Sequence, residues 1–385
     1  MKITNQDGRL SGRPILNRRL LFGLLAASIA AWPALKATAH EPKPTKTPPG
    51  NTVIATPSLG GEPQAIVVNA QDTFVYVSYF NTTTLEYDIA VIDTSSNTVT
   101  NNWSLGATVE ITSLAISPDG TELYVGAATA ATSSVVGEPT GQVAVIDVSN
   151  GSATQTISLS GIPADLSVSP NGKLLYATTN TGLGFGLTTV NEPGSVAVIN
   201  TKTQKVTKTI PIGGDTAWVV FNKTGSLAYV ADELNASVAV IDTATSKVKA
   251  SILVGGYDPY LVLNPATDEI YALTITDLIG GTEAIAVIKG DKLINIVTPP
   301  TGDFIGLPGV TPNGSYAYVP VNEVDAGTAN FVYLMDTTTF LPVGTPITVG
   351  SAPEIVVIAH NGQFAYVANQ GGDGTISVIQ IAPAQ

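Results

Sequence analysis

The sequence predicts an all-β protein: a seven-bladed β-propeller of four-stranded antiparallel blades, closed by an N-terminal strand that completes the last blade. Three observations predict it. A tyrosine-centred strand recurs seven times, at Tyr76, Tyr124, Tyr176, Tyr229, Tyr271, Tyr318 and Tyr366. A glycine-closed turn recurs ahead of that strand. The last copy lacks its fourth strand, while the first segment holds a strand with no blade of its own.

The tyrosines are 48, 52, 53, 42, 47 and 48 residues apart, a period that fits one four-stranded blade per repeat. The copy between Gly213 and Gly255 shows the elements in order. An apolar run at 218–221 is strand a, and the Lys223-Thr224-Gly225 turn leads to an alternating strand b at 227–231. Strand c at 237–241 ends on Asp242, and strand d covers 247–254. The a-to-b turn recurs as Ser117-Pro118-Asp119-Gly120, Ser169-Pro170-Asn171-Gly172 and Thr311-Pro312-Asn313-Gly314. Proline presets the first corner, Asp or Asn tolerates the second, and glycine supplies the positive φ. Strand c recurs as Val-Ile-Asp at 91–93, 145–147 and 240–242, and its Asp is expected to cap the following turn. The chain stops after a third strand at 375–381, and residues 52–59, followed by Gly60-Gly61, read as the missing fourth. Pairing the two would leave no open sheet edge.

These motifs resemble the YVTN-type β-propeller repeat family. Tyr229-Val230-Ala231-Asp232 and Tyr366-Val367-Ala368-Asn369 match its tyrosine strand, Ser117 to Gly120 its turn, and Val240 to Thr243 its third strand. The resemblance implies an extracytoplasmic, surface-layer-like propeller. It brings a scaffold signature and no catalytic residues.

Three regions are expected: an export signal at 1–39, a proline-rich linker at 40–51 and the propeller at 52–385. Arg18-Arg19 precede an apolar stretch at 20–31, and Ala37-Thr38-Ala39 offers a small-residue cleavage site. The stretch is shorter than a membrane span and is followed by Pro33, so no span is expected in the mature chain. Both the twin-arginine and the general secretory routes fit, and both place the protein in the periplasm, at the cell surface or outside. With no cysteine in the chain, disulfides, thiolate metal sites and c-type haem are excluded.

All four arginines lie in the signal, which leaves 11 lysines against 29 acids from His40 onward, a net charge of minus 18. Nucleic-acid binding is excluded by that balance. Its distribution is more telling. In a propeller the d-to-a and b-to-c connections share one face. The b-to-c connections carry Glu86, Asp88, Glu138, Glu192, Asp232, Glu233, Asp277, Glu283, Glu323, Asp325 and Asp373. The d-to-a side adds Glu62, Glu110, Asp165, Asp215, Asp258, Asp303 and Glu354, one per blade, and neither set includes a lysine. Lysines of the ring fall in or beside the a-to-b and c-to-d turns instead. A field of one sign attracts cations.

Two sites are therefore expected on that face. The seven d-to-a carboxylates could ring the axis and hold calcium, which takes several oxygen ligands. The long connections at 126–142 and 178–195, with Glu138, Glu192 and the apolar tip residue Phe185, would bind a ligand together with Asp232, Glu233, Glu323 and Asp325. No catalytic residue is assigned, since the ring has a single histidine, His360, on the lysine side. The expected function is a non-enzymatic binding or scaffolding module of the cell envelope, a monomer whose partner is a protein, a glycan or a cationic ligand. The alternative is a carboxylate- or calcium-dependent hydrolase, lactonase- or glycosidase-like, on the same ring, which needs two carboxylates in one pocket.

Overall fold

The computed structural model describes residues 48–106, 109–129, 140–180, 194–276, 283–298, 306–322, 330–372 and 374–382. Within them the chain forms seven four-stranded antiparallel sheets, the blades of a propeller. In chain order they span residues 61–104, 109–158, 162–211, 216–253, 257–297, 309–348 and 353–381, each of the first six in the order a-b-c-d. The seventh sheet has three strands from the end of the chain, and its outermost strand is Asn51–Ala55, antiparallel to Thr375–Ile381. Strand a of each blade packs against strand a of the next, and Gly61–Val68 meets Pro353–Ile358 across the junction of blades one and seven. No helix occurs among the described residues, and none is long and apolar enough to cross a membrane.

The repeat motifs are the fasteners of this ring. All seven tyrosines are at most 2% exposed, filling the layers between blades. In the a-to-b turn Gly120 has φ of 74° and its N–H donates to the Ser117 carbonyl at 2.8 Å. At the end of strand c, Asp93 Oδ1 accepts the N–H groups of Ser95 and Ser96 at 2.8 and 3.0 Å. Those bonds, led by the Ser95 hydroxyl, hold the Asp93 carboxyl below its ordinary range, and hydrogen bonds from the following turn do the same at Asp147 and Asp242. The threonine after strand c then ties the two turns together. Thr201, Thr243 and Thr337 donate their hydroxyls to the carbonyls of Gly172, Gly225 and Gly314 at 2.6, 2.7 and 2.5 Å.

Strands run further than their sequence pattern suggests. Strand a of blade four is Thr216–Phe221, lengthened across a bulge. Glu86, Asp88 and Glu283, expected in connections, lie in the strands Glu86–Asp93 and Glu283–Lys289. The long connections narrow as well, because Glu122–Thr129, Thr140–Asp147 and Leu174–Asn180 extend into them. Backbone pairing continues wherever a neighbouring strand offers partners, whatever the local polarity. The N-terminal strand is shorter than residues 52–59, and Ser58 keeps only a single bridge to Thr375.

Candidate functional site

The start of strand a is irregular in six blades, where one extra residue breaks the a/b ladder. Such bulges re-aim side chains beside the axis. The strand is reached through a glycine pair with two separate jobs. Gly255 takes φ of 83°, and a Cβ on Gly256 would lie 2.6 Å from Thr274 Oγ1 and 2.7 Å from the Ile275 carbonyl oxygen. Only glycine serves both.

Just past the bulge, the residue facing the second position after the blade tyrosine is Ala65, Ser113, Asp165, Tyr260 or Ile355. Asp165 is the carboxylate in this set. Its Oδ2 accepts the N–H of Val219 in blade four at 2.9 Å, and its own N–H donates to Thr178 Oγ1 at 2.9 Å. Thr178 passes the contact on, donating to the Ala217 carbonyl at 2.6 Å. Asn180 completes the clasp: Oδ1 accepts the Thr216 N–H and Nδ2 donates to the Thr216 carbonyl, both at 2.9 Å. Strand a is innermost, so one edge of its main chain has no neighbouring strand. Three side chains of blade three take that place along blade four. Asp165 is half-buried, and burial pushes its carboxyl up to about 7 against the pull of the Val219 and Leu166 N–H groups.

The other expected axial acids occupy several levels. Glu62 and Glu110 face the fourth position after their tyrosines, at Phe80 and Ala128. Asp215 precedes strand a of blade four, and its carbonyl accepts the Glu233 N–H at 2.9 Å. Glu354 sits inside the bulge of blade seven and is buried. Asp258 belongs to the strand Tyr257–Asn264, with its side chain outside the described part, and Asp303 lies outside the described residues altogether. Among the described residues no three His, Cys, Asp or Glu side chains converge as a metal site.

Of the expected ligand-binding residues, Asp232 is buried, with Oδ1 and Oδ2 accepting Asn235 Nδ2 at 3.0 and 2.8 Å. It caps its own connection. Glu233 beside it is half-buried. Glu138, Phe185, Glu192, Glu323 and Asp325 lie outside the described residues, and with them the pair on which a hydrolase would depend.

A second acidic spot lies between blades one and two. Tyr87 packs on Phe80 with ring centroids 5.2 Å apart. Burial, then the charges of Glu110 and Glu62, raise the Tyr87 hydroxyl above its usual range. Glu110 is exposed, yet lost hydration still raises its carboxyl.

Sequence reasoning missed the clasp residues Thr178, Asn180 and Thr216. A signal existed in the amide four residues after a blade tyrosine, at Asn180 and again at Gln370. Gln370 reaches the Pro63 carbonyl of blade one at 3.1 Å.

The sheet order and the ring of a strands define the class: a seven-bladed β-propeller. No protein family matches the chain by sequence, and no curated protein does. The fold is similar to a chain of hydrazine synthase from Kuenenia stuttgartiensis, with a TM-score of 0.66 and 19% identity over 84% of this chain and 96% of that one. It is also similar to the β-propeller domain of Cps50 (Swd1) from Myceliophteria thermophila, with a TM-score of 0.63 and 12% identity over 86% and 100% of the two chains. Likeness at such identities is a likeness of fold alone.

Proposed function

We propose that this protein is an exported, non-enzymatic propeller of the YVTN type that serves the cell envelope as a binding module through the acidic end of its blades. One observation carries the reading. Glu62, Glu110, Asp165 and Asp215 lie at or before the start of strand a, whereas Lys173, Lys223, Lys247 and Lys292 lie in turns or strand starts at the other end. Charge of one sign gathered at one end draws cationic partners and repels anionic polymers. Export is supported by the Arg18-Arg19 segment with its apolar run, and the family by the turn, tyrosine and Val-Ile-Asp-Thr motifs.

The test is titration calorimetry with decalysine as the probe. Neutralising Glu62, Glu110 and Asp215 together should weaken binding at least tenfold, and raising the salt should weaken it for the wild type. If neutralising Glu122, Glu269 and Asp291, at the lysine end, has an equal effect, the assignment of the working end fails.

A further inference from the structure

Among the described residues few large apolar side chains are exposed, and three of them lie at the acidic end of blades four and five. Leu234 and Leu253 are each 58% exposed and Tyr257 is 45% exposed. The fold places them at this one end through two connections of blade four. Leu234 lies in the b-to-c connection, against Gly214 at the inner side. Leu253 ends strand d, paired with Ser237 at the start of strand c, and the next N–H, of Val254, donates to the Ala236 carbonyl at 3.1 Å. Tyr257 follows Gly255-Gly256 and opens strand a of blade five. The three thus run across the top of blade four onto its neighbour.

Their surroundings carry one sign of charge. Glu233 adjoins Leu234, and Asp215 is tied to Glu233 through the main chain at 2.9 Å. Of the nearby lysines, Lys223 lies in the a-to-b turn and Lys247 and Lys249 in the first half of strand d, toward the far end of the blade, where Lys249 is 3.1 Å from Asp291. Single exposed apolar residues are ordinary, but three anchors at one end of a blade with acids beside them suit an extended segment laid across that end. No side chain of this end could neutralise an acidic partner, and the carboxylates would suit lysine or arginine flanking an apolar anchor.

We propose that Leu234, Leu253 and Tyr257, rimmed by Glu233 and Asp215, form a docking surface for a partner protein's basic segment carrying leucine or aromatic anchors. The inference rests on the acidic end being the working end and names what that end recognises there. Apolar anchors supply the affinity and the acids the choice of sign.

The test uses two synthetic peptides, one alternating lysine with leucine and one alternating glutamate with leucine, beside decalysine. The lysine–leucine peptide should bind at least tenfold more tightly than both others. Leu234→Ser with Leu253→Ser should lower its affinity about tenfold and leave decalysine binding unchanged. Equal binding of that peptide by wild type and double variant overturns the docking surface even if decalysine still binds, and loss of decalysine binding in the wild type sinks the acidic-end reading itself. Self-association at Leu234 and Leu253, seen as a concentration-dependent mass that the double variant abolishes, would assign the surface to a second copy and also overturn the proposal. Tyr257→Ser supplies an independent variant should the leucine pair fail to fold.

Discussion

Asn180 holds Thr216 by both ends of its amide: Oδ1 accepts the Thr216 N–H and Nδ2 donates to the Thr216 carbonyl, each at 2.9 Å. A side chain of blade three thereby completes the main-chain pairing of blade four. Gln370 has the equivalent place before blade one but makes one bond, to the Pro63 carbonyl at 3.1 Å. Its Oε1 has no partner among the described residues, because Pro63 carries no N–H to donate. Asn180→Ala should cost about 1–3 kcal/mol, since two partly buried main-chain groups lose their partners together. Gln370→Ala should cost less. Urea unfolding of the two variants checks the ranking, and equal losses would count against the clasp.

Asp165 makes stability depend on pH in a direction opposite to that of a salt-bridged carboxylate. Its native value is near 7, whereas an unfolded aspartate titrates at about 3.9. Between those values the unfolded chain releases a proton that the native protein keeps. The unfolding free energy therefore falls as pH rises across the window, by up to about 4 kcal/mol, and above it the loss is complete. Asp165→Asn keeps an oxygen for the Val219 N–H and removes the ionisation. The melting temperature of the variant, measured from pH 4 to pH 8, should gain on the wild type as pH rises. Parallel curves would show that Asp165 titrates normally.

At the opposite end of the blades, Asp72 fastens blade one to blade seven. Oδ1 accepts the His360 N–H at 2.7 Å and Oδ2 accepts the Asn361 N–H at 2.8 Å, with His360 Nδ1 also 3.0 Å from Oδ1. The main-chain bonds do most of the work here, for the His360 side chain is 54% exposed and water screens such pairs. Asp72→Ala should lower stability by about 1–3 kcal/mol, and His360→Ala by at most about 0.5 kcal/mol. Thermal denaturation of both variants separates the contributions.

Blades one and two supply the same hydroxyl from opposite strands. Ala65 faces Ser78, whose Oγ accepts the Ala65 N–H at 3.1 Å, while Ser113 faces Gly126. A Cβ on Gly126 would collide with Ser113 Oγ. Gly126→Ser alone should destabilise by about 1–3 kcal/mol through overpacking. Adding Ser113→Ala copies the blade-one pair and should recover most of the loss, a coupling that a double-mutant cycle reads directly. Additive losses would mean that the two positions do not share one space.

The propeller was legible because its turn and cap signals are local. A turn needs its glycine, and Asp93 caps residues two and three positions on, so the chemistry sits within a few letters and repeats. Blade count and strand order follow from such signals. The start of strand a was less legible. Glu62 and Glu110 already stand farther from the a-to-b turn in the sequence than Asp165 and Glu354, but only the bulges decide which main-chain groups each one meets. A bulge depends on which main-chain groups find partners across two strands, and no short window of sequence records that.

By itself the sequence determined the number of blades, the turns that close them and the order of strands within each, because all three depend on neighbours along the chain. The tertiary structure alone decided what each acid does there. Asp232 became a buried cap, Asp165 a support for the main chain of the next blade, and Glu110 a neighbour of Tyr87 across blades one and two. Those roles are set by atoms tens of residues away, as Asp165 and Val219 show across 54 positions. Burial and hydrogen-bond partners exist only once the blades have met.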